Sequence, residues 1–175
     1  MASKRLWILI EGNDEKRFFE RIKRFFEEKY DFVQTWKYAQ EPTKRVENFL
    51  NSIERMSSDY FFLKDINDSP CVTDIKEKIG KKYRRRIKPE RIIIVIKEIE
   101  SWYLAGLDKK SLKEIGTKTL NNTDEMTKEQ FNSLMPKKYD YRIDFMAEVL
   151  KRFSIETAKR KNKSFDYFIK KIQAV

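Results

Sequence analysis

The 175-residue chain contains no histidine and a single cysteine, Cys71. Without histidine, catalysis by a Ser-His or Cys-His pair is excluded, and so are metal sites built on imidazole. A single cysteine excludes an internal disulfide and a thiolate zinc site. Any metal ion must therefore be held by oxygen ligands, which favours Mg²⁺ or Mn²⁺. The lack of disulfides favours a cytoplasmic protein.

Long apolar runs are missing as well. No stretch approaches the roughly 20 residues that are needed to cross a bilayer, so we expect no membrane contact. The short apolar run near the N-terminus is followed by acidic residues and not by a small-residue cleavage site, so we expect no signal peptide. With 40% hydrophobic residues, the composition is sufficient for the packed core of one domain.

The net charge of +11 is unevenly distributed along the chain. Residues 76–91 contain nine basic and two acidic residues, and residues 137–175 contain eleven basic and five acidic residues. Clustering of this kind indicates a polyanionic partner such as nucleic acid. The alternative is that lysine-rich helix faces serve only solubility.

Hydrophobic periodicity predicts four strands that alternate with helices. The predicted strands are residues 5–10, 32–38, 59–68 and 91–96. The predicted helices between them begin near Asn13, which we expect to be the cap of a helix running to about Tyr30, at Pro42 and at Pro70. This alternation predicts an α/β fold with a four-stranded, mostly parallel sheet and helices on both faces.

The remainder of the chain has a weakly helical pattern. Candidate helices cover residues 108–115, 127–135, 142–153 and 164–172, separated by polar loops. The sequence therefore predicts an α/β core over residues 1–106 and a C-terminal helical region over residues 107–175, packed on or beside that core.

Acidic side chains follow three of the four predicted strands. Because the carboxyl ends of parallel strands form the ligand crevice of an open sheet, these side chains are candidates for one divalent-metal site. Of two acids after the fourth strand, Glu98 and Glu100, we predict that Glu100 points inward. The alternative is that such acids only end strands or cap helices. The predicted metal ligands are Glu11, Asp65, Asn67, Asp68 and Glu100.

Three segments resemble the motifs of Toprim-like proteins, a family distantly similar to nucleases with a Toprim core. They are "ILIEGNDEKRFF", "YFFLKDIND" and "IIIVIKEIESWYLAG", and together they span about residues 5–106. The resemblance implies a Toprim/Rossmann-like α/β fold with Mg²⁺-dependent phosphodiester chemistry. It also implies that Glu11 is a ligand or general acid/base and that Asp65 is the first aspartate of an Asp-x-Asp motif. Two departures are compatible with a weakened or lost activity. Asn67 occupies the second aspartate position, with Asp68 displaced by one, and the turn after Glu-Gly is one residue shorter than in many relatives.

These observations predict a divalent-metal-dependent nuclease or phosphodiester-transfer enzyme. Glu11, Asp65 and Glu100 are the predicted catalytic residues, and a lysine such as Lys64 or Lys97 steadies the phosphate. The predicted nucleic-acid contacts are made by basic residues around Tyr83, whose ring can stack on a base. These basic residues are Lys81, Lys82, Arg84, Arg85, Arg86 and Lys88.

Two alternatives remain open. One is a catalytically degenerate Toprim-like module that binds nucleic acid, and the other is a protein-interaction subunit. The oligomeric state is not determined by the sequence, which is compatible with a homodimer.

Overall fold

The apolar run at residues 5–10 forms the first strand, β1 (Arg5–Ile10), in a computed structural model of the chain. The structure describes residues 3–67, 69 and 71–175. It divides into two compact units, Met1–Ile94 together with Val175, and Val95–Ala174. The predicted domain boundary between residues 106 and 107 stays a prediction.

The first unit contains the sheet and the helices that connect its strands. Its further strands are β2 (Phe32–Lys37), β3 (Asp59–Asp65) and β4 (Ile92–Val95), of which β4 reaches the boundary of the unit. Its α-helices are α1 (Asn13–Ile22), α2 (Thr43–Arg55) and α3 (Val72–Lys82). Two 3₁₀ helices cover Lys23–Phe26 and Pro89–Arg91.

The strands are ordered β2-β1-β3-β4, and β1 pairs in parallel with both β2 and β3. This order places strands that are distant in sequence next to each other, so β1 and β3 are neighbours with Leu9 opposite Phe62. The predicted α/β fold with a four-stranded, mostly parallel sheet is confirmed.

Aromatic contacts identify the face of the sheet that α2 and α3 cover. Trp7 and Phe62 point to one face, because Trp7 lies opposite Tyr60 in the parallel register and side chains alternate along β3. The ring of Trp7 lies 5.1 Å from that of Phe49 in α2, and the ring of Phe62 lies 5.6 Å from that of Tyr83, which follows α3. Both helices therefore pack on this face, as right-handed crossovers toward β3 and β4 require.

The opposite face belongs to α1 and the segment that follows it. Leu6 and Asp59 lie opposite each other and directly precede Trp7 and Tyr60, so their side chains point to this other face. The Asp59 carboxylate accepts a hydrogen bond from the Tyr30 hydroxyl at 3.0 Å. The chain moves from β1 to β2 in the direction opposite to its later crossovers, so the same handedness places α1 on the other side. Helices on both faces follow from this arrangement.

Two details of the first helix differ from the prediction. The cap of α1 is Gly12 and not Asn13, which is the first helical residue and accepts a hydrogen bond from Lys37 Nζ at 3.1 Å. The helix does not continue to Tyr30 but ends at Ile22, after which the chain tightens into the 3₁₀ helix, a common transition at the end of a helix.

The second unit contains helices. The four predicted segments form helices there, a further helix begins at Glu100 within the segment that resembles a strand and helix of Toprim-related proteins, and the short helix that begins at Ile155 is additional. A buried aromatic cluster forms its core, in which the ring of Trp102 lies 5.3 Å from that of Phe168 and 5.1 Å from that of Phe165. The helices are α4 (Glu100–Ala105), α5 (Lys109–Ile115), α6 (Lys128–Ser133), α7 (Arg142–Lys151), α8 (Ile155–Lys161) and α9 (Lys163–Gln173).

Across the described residues, every helix is too short or too polar to traverse a lipid bilayer.

Candidate metal centre

Three carboxylates meet at the carboxyl edge of the sheet in the first unit. Glu11 directly follows β1, Asp65 is the last residue of the neighbouring strand β3, and Glu15 lies in the first turn of α1. Each offers an oxygen, and these oxygens all lie within 4.8 Å of one another. The structure thus brings Glu11 and Asp65 together, as neighbouring strand ends predict.

Glu15 completes this group, and the sequence prediction did not include it. Its Oε2 accepts a hydrogen bond from the Gly12 N–H at 3.1 Å, which turns the side chain back toward the strand end. The side chain is buried, and this burial raises the pKa of Glu15 above its ordinary value, with a further increase from the negative charge of Glu11. No sequence signal separates it from its neighbour Asp14, because an acid is favoured anywhere in the first turn of a helix.

The carboxylate of Glu11 is held by two donors from the end of β3. Its Oε1 lies 2.6 Å from Lys64 Nζ, and its Oε2 accepts the Asp65 N–H at 3.4 Å. The lysine places one positive charge beside three negative ones, so the group keeps an excess of negative charge. Such a carboxylate cluster can attract a divalent cation.

A cavity of about 320 Å³ opens beside this group, between the sheet and α3. Its floor is formed by apolar and aromatic side chains that include Phe62 and Ile79, and Lys64, Lys78 and Lys82 also line it. The volume lies near the lower end of the range for small-molecule pockets, which is about 300–1,000 Å³. A cavity with an apolar floor, basic side chains and an adjacent carboxylate group suits part of a nucleotide.

The other predicted ligands from the third strand are less well placed. Asn67 is exposed and adopts a left-handed backbone conformation with φ of 46°, and it lines the same cavity. Asp68 lies outside the described residues. The metal-binding role of both residues stays a prediction.

Glu100 belongs to the second unit, where it is the first residue of α4. It is 3% exposed and forms an ion pair with Arg142 of α7. Its neighbour Glu98 accepts the Lys128 N–H at 2.6 Å, and Lys97 forms an ion pair with Glu125 at 3.1 Å. The catalytic and metal-binding roles of Glu100 stay predictions.

The predicted nucleic-acid contacts lie at the end of α3 and in the turn that follows. Lys81 forms an ion pair with Glu77 at 2.8 Å, and Arg84 Nε lies 3.6 Å from the buried carboxylate of Glu47. Lys82 lines the cavity beside Glu11, whereas Arg85, Arg86 and Lys88 line a different cavity. The contacts with nucleic acid stay predictions.

The idea that Tyr83 stacks on a base is wrong in this structure, because its side chain is 2% exposed. Its ring packs on that of Phe62 and so belongs to the core between α3 and the sheet.

Comparisons with known proteins do not establish a family. No protein-family model and no curated protein matches the chain. A solved structure, the C-terminal region of the Burkholderia pseudomallei OLD protein, matches with 10% sequence identity and a TM-score of 0.41. The match covers 99% of this chain and 98% of that one. A similarity of this size shows neither a family nor an activity, so the Toprim-like assignment stays a prediction.

Proposed function

We propose that the chain binds Mg²⁺ or Mn²⁺ through Glu11, Glu15 and Asp65 and cleaves or transfers phosphodiester bonds of nucleic acid. The observation that carries this proposal is the convergence of three carboxylate oxygens within 4.8 Å at the carboxyl edge of a mostly parallel sheet. Ligands of an open α/β sheet bind at this edge.

The donor set fits such a metal ion. Carboxylate oxygens are the ligands that hard divalent cations prefer, and the chain has no histidine that would favour zinc or copper instead. When bound, the ion would neutralise charge on the phosphate and make a water molecule a better nucleophile.

Other groups of the chain supply orientation and charge. Backbone N–H groups of Gly12 and Asp65 hold the carboxylates of Glu15 and Glu11, so the acceptor oxygens are fixed before a ligand arrives. Lys64 stands beside Glu11 and lines the neighbouring cavity, where its ammonium group would contact a phosphate oxygen. Glu11 is the carboxylate that we assign to proton transfer.

Metal binding is tested directly by titrating the protein with Mn²⁺ in a calorimeter. We expect Glu11→Gln and Glu15→Gln to weaken Mn²⁺ binding at least about tenfold, because each removes a charged ligand. The matched control is Glu28→Gln, which removes one charge at an exposed position outside the carboxylate group. Equal Mn²⁺ affinities for the wild type and Glu15→Gln would contradict the assigned ligand set.

Catalysis is tested with labelled single- and double-stranded DNA and RNA in Mg²⁺ or Mn²⁺. Cleavage by the wild type that is lost in Glu11→Gln and kept in Glu28→Gln supports the proposal. If the wild type and Glu11→Gln give the same products at the same rate, Glu11 is not catalytic and the activity comes from elsewhere.

A second candidate function is favoured by the ion pair between Lys64 and Glu11. A lysine at 2.6 Å already neutralises one of the three carboxylates, so the group needs less compensating charge from a metal ion. Such a protein would bind nucleic acid in EDTA, with an affinity that falls steeply as salt is added. This function is supported if the wild type and Glu11→Gln bind nucleic acid equally well in EDTA and neither cleaves it in Mn²⁺. Absence of binding at low salt would eliminate it.

A further inference from the structure

A second cavity lies at the other end of β3, at the opposite edge of the sheet from the carboxylate group. Its volume is about 410 Å³. It is bounded by residues at the start of β3, by the end of α2 and by the basic turn after α3. Among the residues that line it, Glu54 is acidic and four are basic, so the cavity has a net positive lining. The basic residues are Arg85, Arg86, Lys88 and Arg91.

Two polar atoms of the residues around this cavity are buried without a partner. They are Nη1 of Arg91 and Oγ of Ser58, for which the described part of the chain provides no hydrogen-bond partner. The other terminal nitrogen of Arg91, Nη2, donates to Asp59 Oδ1 at 3.1 Å, which fixes the plane of the guanidinium group. Burial of an unpaired donor costs about 1–3 kcal/mol, and more for a charged group.

The basic turn that contributes Arg85 to the cavity has an unfavourable backbone conformation. Arg84 and Arg85 have φ of 51° and 55°, in the left-handed region that glycine normally occupies at the end of a helix. The Arg85 N–H donates to the Gly80 carbonyl at 2.6 Å and closes the turn. An L-residue in this region costs about 1–2 kcal/mol. Arginine at these positions is therefore costly for the fold, and strain of this kind is typical of functional sites.

We propose that this cavity is a phosphate-binding site, separate from the carboxylate group and independent of metal. Guanidinium groups donate pairs of hydrogen bonds that match phosphate oxygens, and three of the four basic residues that line the cavity are arginines. The phosphate belongs either to a small phosphorylated molecule such as a nucleotide or to the backbone of a nucleic acid. The site goes beyond the proposed function, because neither the carboxylates nor a metal ion takes part in it.

The test is a calorimetric titration with pyrophosphate at low salt in EDTA, which prevents a metal ion from bringing the anion to the carboxylates. Arg85→Gln removes one cation from the cavity. The matched control is Lys44→Gln, which removes the same charge at an exposed position of α2 away from the cavity lining. Glu11→Gln is the control for the carboxylate group.

We expect the wild type to bind pyrophosphate, and Arg85→Gln to weaken this binding by about tenfold. Lys44→Gln and Glu11→Gln should change it less than about twofold. Absence of pyrophosphate binding by the wild type overturns the proposal. Equal weakening by Lys44→Gln and Arg85→Gln also overturns it, because binding would then depend only on net charge.

Two further measurements complete the test. Arg85→Gly places glycine where φ is 55°, so this variant should melt at the wild-type temperature or above it and still lose pyrophosphate affinity. Loss of affinity is then not a folding defect. The source of the phosphate follows from competition against a fluorescent single-stranded oligonucleotide in EDTA. If pyrophosphate displaces the oligonucleotide, the site binds the phosphates of a nucleic-acid backbone. If pyrophosphate does not displace it, and Arg85→Gln binds the oligonucleotide as tightly as the wild type, the site binds a small phosphorylated molecule. Either result is compatible with a phosphate site.

Discussion

The substitution Glu15→Gln removes one negative charge from the carboxylate group with little change in side-chain shape. Glu15 is 7% exposed, and its Oε2 accepts the Gly12 N–H, a hydrogen bond that the carbonyl oxygen of glutamine can also accept. Without metal, the folded protein holds three carboxylates together that the unfolded chain separates. Removing one charge should therefore stabilise the folded protein when no metal is present.

The size of this effect follows from the spacing of the oxygens. Two unit charges 4.8 Å apart repel by about 3.5 kcal/mol at an effective dielectric constant of about 20, and by about 0.9 kcal/mol at about 80. Lys64 beside Glu11 offsets part of the repulsion. We therefore expect Glu15→Gln to raise the free energy of unfolding in EDTA by about 1–3 kcal/mol. For a chain of this length, this corresponds to an increase in Tm of about 2–10 °C.

The assay is thermal unfolding of the wild type, Glu15→Gln and the Glu28→Gln control, each in EDTA and in saturating Mn²⁺. A ligand at one hundred times its Kd stabilises the folded state by about 2.7 kcal/mol, so Mn²⁺ should raise the Tm of the wild type and of the control. The variant Glu15→Gln should start from a higher Tm in EDTA and gain much less from Mn²⁺. If it melts below the wild type in EDTA, or gains as much from Mn²⁺, the carboxylate of Glu15 acts only as a helix cap.

Four other substitutions test separate parts of the structure. Lys64→Met should tighten Mn²⁺ binding about fivefold, because it removes roughly 1 kcal/mol of repulsion between the lysine ammonium group and the cation. Unchanged affinity would exclude Lys64 as a competitor of the metal ion. Gly106→Ala should lower the free energy of unfolding by about 1–3 kcal/mol in denaturant titrations, because the added Cβ collides with the ring of Phe153. Gly80→Ala has open space at its Cβ and should raise the free energy of unfolding by about 0.5–1 kcal/mol. Glu100→Gln should lower the free energy of unfolding by about 1–2 kcal/mol, which is less than for a fully buried ion pair because Arg142 is partly exposed. An unchanged Tm would contradict a stabilising ion pair.

The strands could be predicted because their physical requirements are local. A strand that helices cover on both faces must be apolar along its covered length, and β1 from Leu6 onwards and the whole of β4 meet this requirement without help from the rest of the chain. The proximity of Glu11 and Asp65 also followed, since it needs only that β1 and β3 are neighbours in a parallel sheet.

The full carboxylate group could not be predicted in the same way. An acid in the first turn of a helix is stabilised by the helix dipole wherever it points, so the sequence does not distinguish Glu15 from Asp14. The structure distinguishes them, because Glu15 turns toward Gly12 and Asp14 forms an ion pair with Arg17.

Glu100 illustrates the same difficulty over a longer distance. Its partner Arg142 lies 42 residues away along the chain, in a different helix, and no periodicity within either segment connects the two. The short helix α8 was not predicted for a related reason. Its sequence, "IETAKRK", has few apolar residues at helical spacing, and its first turn is stabilised by a hydrogen bond from the Thr157 N–H to the Ser154 hydroxyl.

The first unit separates its charges along the length of one strand. Asp65, at the carboxyl end of β3, belongs to the carboxylate group, whereas Ser58 and Tyr60, at its beginning, line the basic cavity. At about 3.3 Å per residue, the seven residues of β3 hold the two sites roughly 20 Å apart. Effects of substitutions at this distance should add, since residues more than about 10 Å apart rarely share partners. In the double variant Glu11→Gln/Arg85→Gln, the change in binding free energy should therefore equal the sum of the changes that the two single substitutions cause. A departure from additivity would mean that one extended ligand occupies both sites.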